Sequence, residues 1–283
     1  MNILTFDIEE WFHILGHNSI KHEGSWGKYE SRIHQNMDRI FQILDDTDSK
    51  ATFFCLGWVA KNYPDVIKRI HDNGYEIGTH SHLHQLAYEQ TPKEFENDLT
   101  TSIQAIEDIT GEKIKLYRAP GFSLKYSNRW VFDILIKNGI EIDCSVFPAK
   151  RSHGGYDRFG NNTPCLVQSN NEFIKEFPIS TFSTINQTLI YSGGGYFRFM
   201  PYGLIKLLMK RNSYNMAYFH PRDFDAGQLV IEDLSIIRKF KSYYGLGSAE
   251  GKLRRLLQEF SFTDIRSANN SIDWKDCNII KID

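Results

Sequence analysis

Short apolar runs alternate with amphipathic helical stretches through the first half of this 283-residue chain, and that alternation restricts the fold more than any other feature. Asn2 to Phe6 reads as a buried strand, and Ile33, Met37, Ile40, Phe41 and Leu44 then recur at helical spacing up to Asp46. Ala51 to Leu56 is again strand-like. A helix follows over Pro64 to Asn73, a strand over Tyr75 to Gly78, helices over Phe95 to Ile109 and Trp130 to Asn138, and strand ends at Leu116 to Ala119 and Ile140 to Cys144. Repeated βα units of this length predict an α/β fold with a parallel sheet or barrel, and functional groups at the carboxyl ends of its strands.

Those strand ends carry the chemistry-bearing residues. The first runs into Asp7-Ile8-Glu9-Glu10, where strand alternation aims Asp7 and Glu9 to one side and Ile8 and Glu10 to the other. The third runs into His80-Ser81-His82-Leu83-His84. Two imidazoles four residues apart can share a face and, with one of the two acids, hold a divalent ion while the other acid stays free as a base. His82 is the alternative ligand if the loop forms no helical turn. Met216 to Phe219 is a short strand that delivers His220, and Pro221 breaks the pattern behind it.

The remaining chain is less regular. Residues 150–171 read as a long loop, 173–178 as a strand, and Ser192-Gly193-Gly194-Gly195-Tyr196-Phe197-Arg198 as a glycine-rich turn that lacks the Lys-Ser/Thr ending of a phosphate loop. Helices are expected at Ile236 to Tyr244 and Gly251 to Phe260. Residues 1–225 are thus read as one barrel domain and 226–283 as a helical extension packed on it. Trp11, Phe122 and Trp130 are assigned to core or rim, and His13, His17 and His22 to surface or loop.

Composition narrows the function classes. With 33 basic and 35 acidic residues the formal charge is -2, which offers no electrostatic footprint for nucleic acid or for anionic membrane surfaces. The 41% apolar content supports a core that needs no staples, and the four cysteines show no paired spacing, so reduced thiols are expected. No basic segment followed by an apolar run opens the sequence and no stretch reaches membrane-spanning length, so a cytoplasmic protein is expected.

Taken together, Thr5-Phe6-Asp7-Ile8-Glu9, His80-Ser81-x-x-His84, Arg118-Ala119-Pro120, Asp143-Cys144-Ser145 and Tyr218-Phe219-His220 resemble, in order and spacing, the polysaccharide deacetylases of the NodB-homology group, carbohydrate esterase family 4. Gly193 to Arg198 and Lys252 to Leu257 extend the likeness to the subgroup associated with bacterial exopolysaccharide and surface-glycan loci. The resemblance implies a distorted barrel of about seven strands, (β/α)7 in type, and a divalent metal, Zn2+ first and Co2+, Fe2+ or Ni2+ as alternatives. It also implies an N-acetylated sugar as substrate. Family members usually have two adjacent aspartates in the first motif, and Ile8 stands where the metal-binding one would be. Glu9 is therefore expected to join His80 and His84 as ligand, with Glu10 the alternative.

By the same resemblance Asp7 is the general base, held by Arg118. His220 is the general acid, tuned by Asp143, and the Gly121 N–H binds the oxyanion. Tyr196 and Arg198 are assigned to substrate contact. The alternatives are a deformylase or an allantoinase-like amidohydrolase on the same fold, and a non-catalytic glycan-binding protein.

Overall fold

The protein is described here from a computed structural model covering residues 1–15, 23–151, 154–183, 188–232 and 234–282. His17 and His22 lie outside the described residues. The strands are β1 (Asn2–Ile8), β2 (Thr52–Cys55), β3 (Glu76–Thr79), β4 (Leu116–Tyr117), β5 (Ile142–Asp143), β6 (Cys165–Ser169), β7 (Glu172–Glu176), β8 (Phe182–Ser183), β9 (Thr188–Leu189), β10 (Asn215–Phe219) and β11 (Ile279–Lys281). The helices are α1 (Ile33–Thr47), α2 (Gly57–Asn62), α3 (Pro64–Asp72), α4 (Pro92–Thr110), α5 (Val131–Lys137), α6 (Gly194–Phe199), α7 (Tyr202–Arg211), α8 (Ile236–Tyr243), α9 (Leu246–Glu259) and α10 (Ile265–Ser271).

The main sheet has the order β10-β1-β2-β3-β4-β5-β7-β6-β11. From β10 to β7 every pairing is parallel, as the alternation predicts, and there are seven such strands, the distorted (β/α)7 array that the family resemblance implies. Among the described residues no strand ladder closes it. Side chains bridge the gap instead: the Met216 N–H donates to Ser180 Oγ at 2.6 Å, and the Tyr214 hydroxyl to the Pro178 carbonyl at 2.7 Å.

Alternation along β1 sorts its side chains into two cores. Leu4, Phe6 and Ile8 join Ile33, Met37 and Ile40 of α1 in the layer between sheet and helices. Ile3 faces the barrel interior with Phe54, Leu116, Ile142, Met216 and Tyr218. Asp7, two positions beyond Thr5 and four beyond Ile3, therefore emerges at the carboxyl end of the interior. Ile8 is wholly buried in the helix layer, where a carboxylate would find no metal and no water.

Several elements differ from the sequence reading. Residues 165–169, read as loop, form β6, which pairs antiparallel with β7 through a two-residue turn. Asn170 and Asn171 hold that turn at φ of 49° and 64°, the left-handed pair that matches strand twist. Helix α4 starts at Pro92 rather than Phe95, because Thr91 and Glu94 form a reciprocal capping box. The C-terminal segment is not wholly helical, since β11 adds to the sheet beside β6. His13, assigned to the surface, is buried at 3% exposure among Phe12, Trp26 and Trp58.

Candidate metal centre and active site

Each predicted ligand sits where a parallel strand ends. Glu9 follows β1, and His80 and His84 follow β3; all three are buried, and one donor atom from each lies within 4.8 Å of the others. The two imidazoles come together through a tight loop, not a helical turn, with ring centroids 5.4 Å apart. Ser81 and His84 take φ of 71° and 53°, a left-handed conformation costing roughly 1 kcal/mol or more per residue. Hydrogen bonds hold the loop in it. Asp98 of α4 accepts the N–H groups of His82 and Leu83 at 2.7 and 3.0 Å, the Ser102 hydroxyl donates to the Ser81 carbonyl, and the His84 N–H donates to Ser81 Oγ. His82 is no ligand, because its ring packs against Gly57, where an added Cβ would come within 2.5 Å of Nδ1.

The donor set fits a divalent ion. The His80 Nδ1–H donates to the Arg118 carbonyl at 2.8 Å, which leaves the Nε2 lone pair for a metal. Burial drives the His80 pKa down to about 4, so the ring is neutral at physiological pH, as a ligand must be. Glu9 Oε2 is buried without an aligned hydrogen-bond donor, 2.7 Å from His84 Nε2. Burial pushes the Glu9 carboxyl up, but His84, His220 and His80 together bring it down to about 2.

Glu10, the alternative ligand, is engaged elsewhere. Its carboxylate accepts the Ser31 hydroxyl and the N–H groups of Arg32 and Ile33, at 3.0 and 3.1 Å, and so caps the start of α1. Glu10→Ala is accordingly expected to lower stability by about 1–2 kcal/mol in urea unfolding while leaving metal content unchanged.

Beside the donor cluster, Arg118 is wholly buried and donates to Asp7 Oδ1 and Thr5 Oγ1, both at 2.7 Å, with its guanidinium over the Phe54 ring. On the other side, His220 Nε2 lies 3.4 Å from Glu9 Oε1 and 3.9 Å from Asp7 Oδ2. Burial would lower the His220 pKa, but the Glu9, Asp223 and Asp7 carboxylates outweigh it and raise it to about 9.

The acid that holds His220 is Asp223, not Asp143. Asp223 Oδ2 lies 3.0 Å from His220 Nδ1 and accepts the His220 N–H at 2.9 Å, a reciprocal cap at the turn that Pro221 begins. Asp143 is instead bonded to Ser145, at 2.5 Å, and to Glu176. Strand pairing decides this: Asp143 and Glu176 are register partners on β5 and β7, so the two carboxyls share one site.

Burial and the neighbouring Asp143 raise the Glu176 pKa well above 4.5, and the pair holds a proton when folded. A folded-state pKa above the unfolded value costs stability as pH rises between the two, about 1.4 kcal/mol per unit. Glu176→Gln keeps an N–H donor for Asp143 and removes the titration. Urea midpoints of the two proteins are expected to converge near pH 5 and to diverge in favour of the variant by about pH 7; parallel profiles would contradict the shared proton.

Arg198 also departs from its assignment. It is 6% exposed, its Nε lies 3.1 Å from Asp223 Oδ1, and its terminal nitrogens donate to the carbonyls of Lys241, Ser242 and Tyr244. It supports Asp223 and ties α8 to the site, which leaves little donor capacity for substrate. The glycine run makes this possible: Gly193 packs against the Tyr218 backbone so closely that a Cβ would meet its carbonyl oxygen at 2.2 Å. Tyr196 and Gly121, with φ of 60°, do line the cavity, as do Asp7, Glu9 and His220. The cavity holds about 550 Å3.

Two contributors besides Asp223 escaped sequence reasoning. Asp98 sits mid-helix with no motif signal. His13 lines the cavity beside His84, accepts the Glu10 N–H at Nδ1 and leaves a buried Nε2 without a partner.

Residues 4–141 match the polysaccharide deacetylase family, over the strands and loops that carry Asp7, Glu9, His80, His84 and Arg118. The chain carries a polysaccharide deacetylase domain. Residues 144–270 match a domain of unknown function, DUF3473, which supplies His220, Asp223 and Arg198. A peptidoglycan-N-acetylglucosamine deacetylase of Bacillus cereus is 29% identical over 116 residues, 41% of this chain and 40% of that protein. The peptidoglycan-N-acetylmuramic acid deacetylase PdaA of Bacillus subtilis is 30% identical over 125 residues, 42% and 48% of the two chains. The match thus spans less than half the length of either relative. Among solved structures, a "putative polysaccharide deacetylase" from Mycobacterium smegmatis superposes with a TM-score of 0.66 at 16% identity, over 98% of this chain and 91% of that one. The Bc1960 peptidoglycan N-acetylglucosamine deacetylase gives 0.51 at 16% identity, over 94% and 86%. The deacetylase domain and the segment after it therefore share one fold with these proteins.

Proposed function

We propose that the chain is a metal-dependent N-deacetylase that hydrolyses the acetamido group of an amino sugar, in the biosynthesis of a bacterial surface polysaccharide. The observation that carries this reading is a buried Glu9-His80-His84 donor set beside Asp7 and His220, with Glu9, His84, Asp7 and His220 all lining one cavity. The names of the deacetylases to which residues 4–141 are similar support the amide and the sugar.

A divalent ion held by Glu9, His80 and His84, Zn2+ before Co2+, Fe2+ or Ni2+ given two nitrogens and one oxygen, supplies Lewis-acid charge for water and acyl oxygen. Asp7 takes the proton of the attacking water at Oδ2, because Oδ1 is committed to Arg118. His220 gives its Nε2 proton to the departing amine, a leaving group that requires one, and Asp223 keeps the Nδ1–H oriented. Gly121 and Tyr196 line the cavity, and in this reading the Gly121 N–H binds the oxyanion and Tyr196 contacts the sugar. The four cysteines are free, and three of them are buried, consistent with a reducing, cytoplasmic setting. Among the described residues no helix is long and apolar enough to cross a membrane.

The test is metal analysis of the purified protein together with acetate release from N-acetylated nucleotide sugars, chitooligosaccharides and peptidoglycan fragments, with and without chelator. Chelator-sensitive acetate release is expected. Bound metal with release only from formamido sugars or allantoin would replace the acetyl group in this reading, and a protein that takes up no metal would overturn it.

A further inference from the structure

Helix α8 is amphipathic in the wrong sense for a core element. Ile236, Ile237 and Phe240 form an apolar stripe that Tyr244 extends by one turn, yet no residue of the helix is buried. Ile236 keeps 87% of its surface exposed and Ile237 69%. Polar bonds hold the helix in place instead. Arg198 binds the carbonyls at its carboxyl end, the Tyr243 hydroxyl accepts the Ile231 N–H, and Arg238 donates to the Leu15 carbonyl. The stripe continues into Phe199, 65% exposed, whose ring lies 6.2 Å from Phe240 and 5.9 Å from Tyr244. These three aromatics, with Tyr196, form one wall of the cavity that holds Glu9 and His220.

The charge on this wall is one-sided. Helix α8 carries Arg238, Lys239 and Lys241 and no acid, in a chain whose formal charge is -2. Among the described residues neither Lys239 nor Lys241 has a carboxylate partner, and the acids between Leu229 and Tyr244, Glu232 and Asp233, both stand ahead of the helix in the sequence. Exposed aliphatic and aromatic side chains interleaved with lysines match the boundary of an anionic bilayer, where the stripe enters the acyl region and the ammonium groups meet lipid phosphates. A second copy fits poorly, because a two-fold contact through α8 sets its lysines against their own copies.

We propose that α8 and Phe199 dock the protein on an anionic membrane surface and hold the cavity mouth against it. Resting on the deacetylase reading, the sugar processed is then one carried at that surface on a lipid. Docking itself does not depend on that reading.

The experiment is vesicle flotation of the full chain with phosphatidylcholine alone and with phosphatidylglycerol added. Flotation with the anionic vesicles only, weakened in about 0.5 M NaCl, is expected. The pair Ile236→Ser and Ile237→Ser should lower the partition coefficient at least about ten-fold, because two large apolar side chains no longer enter the bilayer. Lys239→Glu, at a half-buried lysine flanking the stripe, should lower it several-fold. Neither variant touches the cavity lining, so turnover of a soluble oligosaccharide should stay at the wild-type value. No flotation with anionic vesicles, undiminished flotation of the serine pair, or a dimer that the serine pair dissolves would overturn the proposal. Flotation without any acetate release would leave docking standing and remove the deacetylase reading alone.

Discussion

Purified His80→Ala protein is expected to carry no stoichiometric metal and to show no turnover above background, where about one ion per chain is expected of the wild type. Removing the imidazole takes away one of three protein donors and leaves only Glu9 and His84 of the set. Loss of a hydrogen-bond partner behind a ligand costs about 10–100-fold in affinity, and loss of the ligand itself should exceed that. Glu9→Ala should behave the same way, while Asp7→Asn should keep the metal and lose the base. Elemental analysis separates the three. A His80→Ala protein with a full complement of metal and wild-type turnover would remove the site from consideration.

His220→Asn is expected to retain metal and to lose about 10²–10⁴-fold in kcat on acetamido substrates, the range typical of a general acid. The side chain approaches the cluster from β10, with Nε2 3.4 Å from Glu9 and Nδ1 held by Asp223. Asp223→Asn should lose less, about 10–100-fold, because the imidazole stays in place but loses its orienting charge. Leaving-group chemistry distinguishes this role from a structural one. An activated aryl acetate departs without a proton, so the His220 variant should hydrolyse it nearly as fast as the wild type does. Equal losses on ester and amide would show that His220 does something other than protonate the leaving group.

The parallel array was legible because β1, β2 and β3 are short apolar runs, each followed by a helical segment before the next strand. Hairpin β6–β7 was not, since Asn170-Asn171 lacks the glycine that makes such turns conspicuous, and its signal is visible only in two positive φ angles. Among site residues, Asp7 and Glu9 stand together at the exit of β1 and His80 and His84 at the exit of β3, and strand alternation separates Glu9 from Glu10. The structure bears out that separation by giving Glu10 the start of α1.

Asp143 and Arg198 went astray for a different reason. Motif order says which strand ends a residue occupies, but not which neighbour it meets there. Asp143 meets Glu176 because β5 pairs with β7, a crossover that skips β6, and Arg198 meets Asp223 because Gly193 lets its strand-like backbone close on Tyr218. His13 was misplaced because a histidine in a polar stretch reads as exposed, whereas Trp26 and Trp58 fold over it.

What the sequence determined by itself was local and periodic: the strand and helix order, the face on which each β1 side chain lies, and the donors that follow β1 and β3. These follow from alternation and from spacing along a single element. Only the tertiary structure decided which acid serves His220, what Arg198 holds and which side of α8 faces outward, since each depends on contacts between segments that are remote in the chain and whose approach is set by packing.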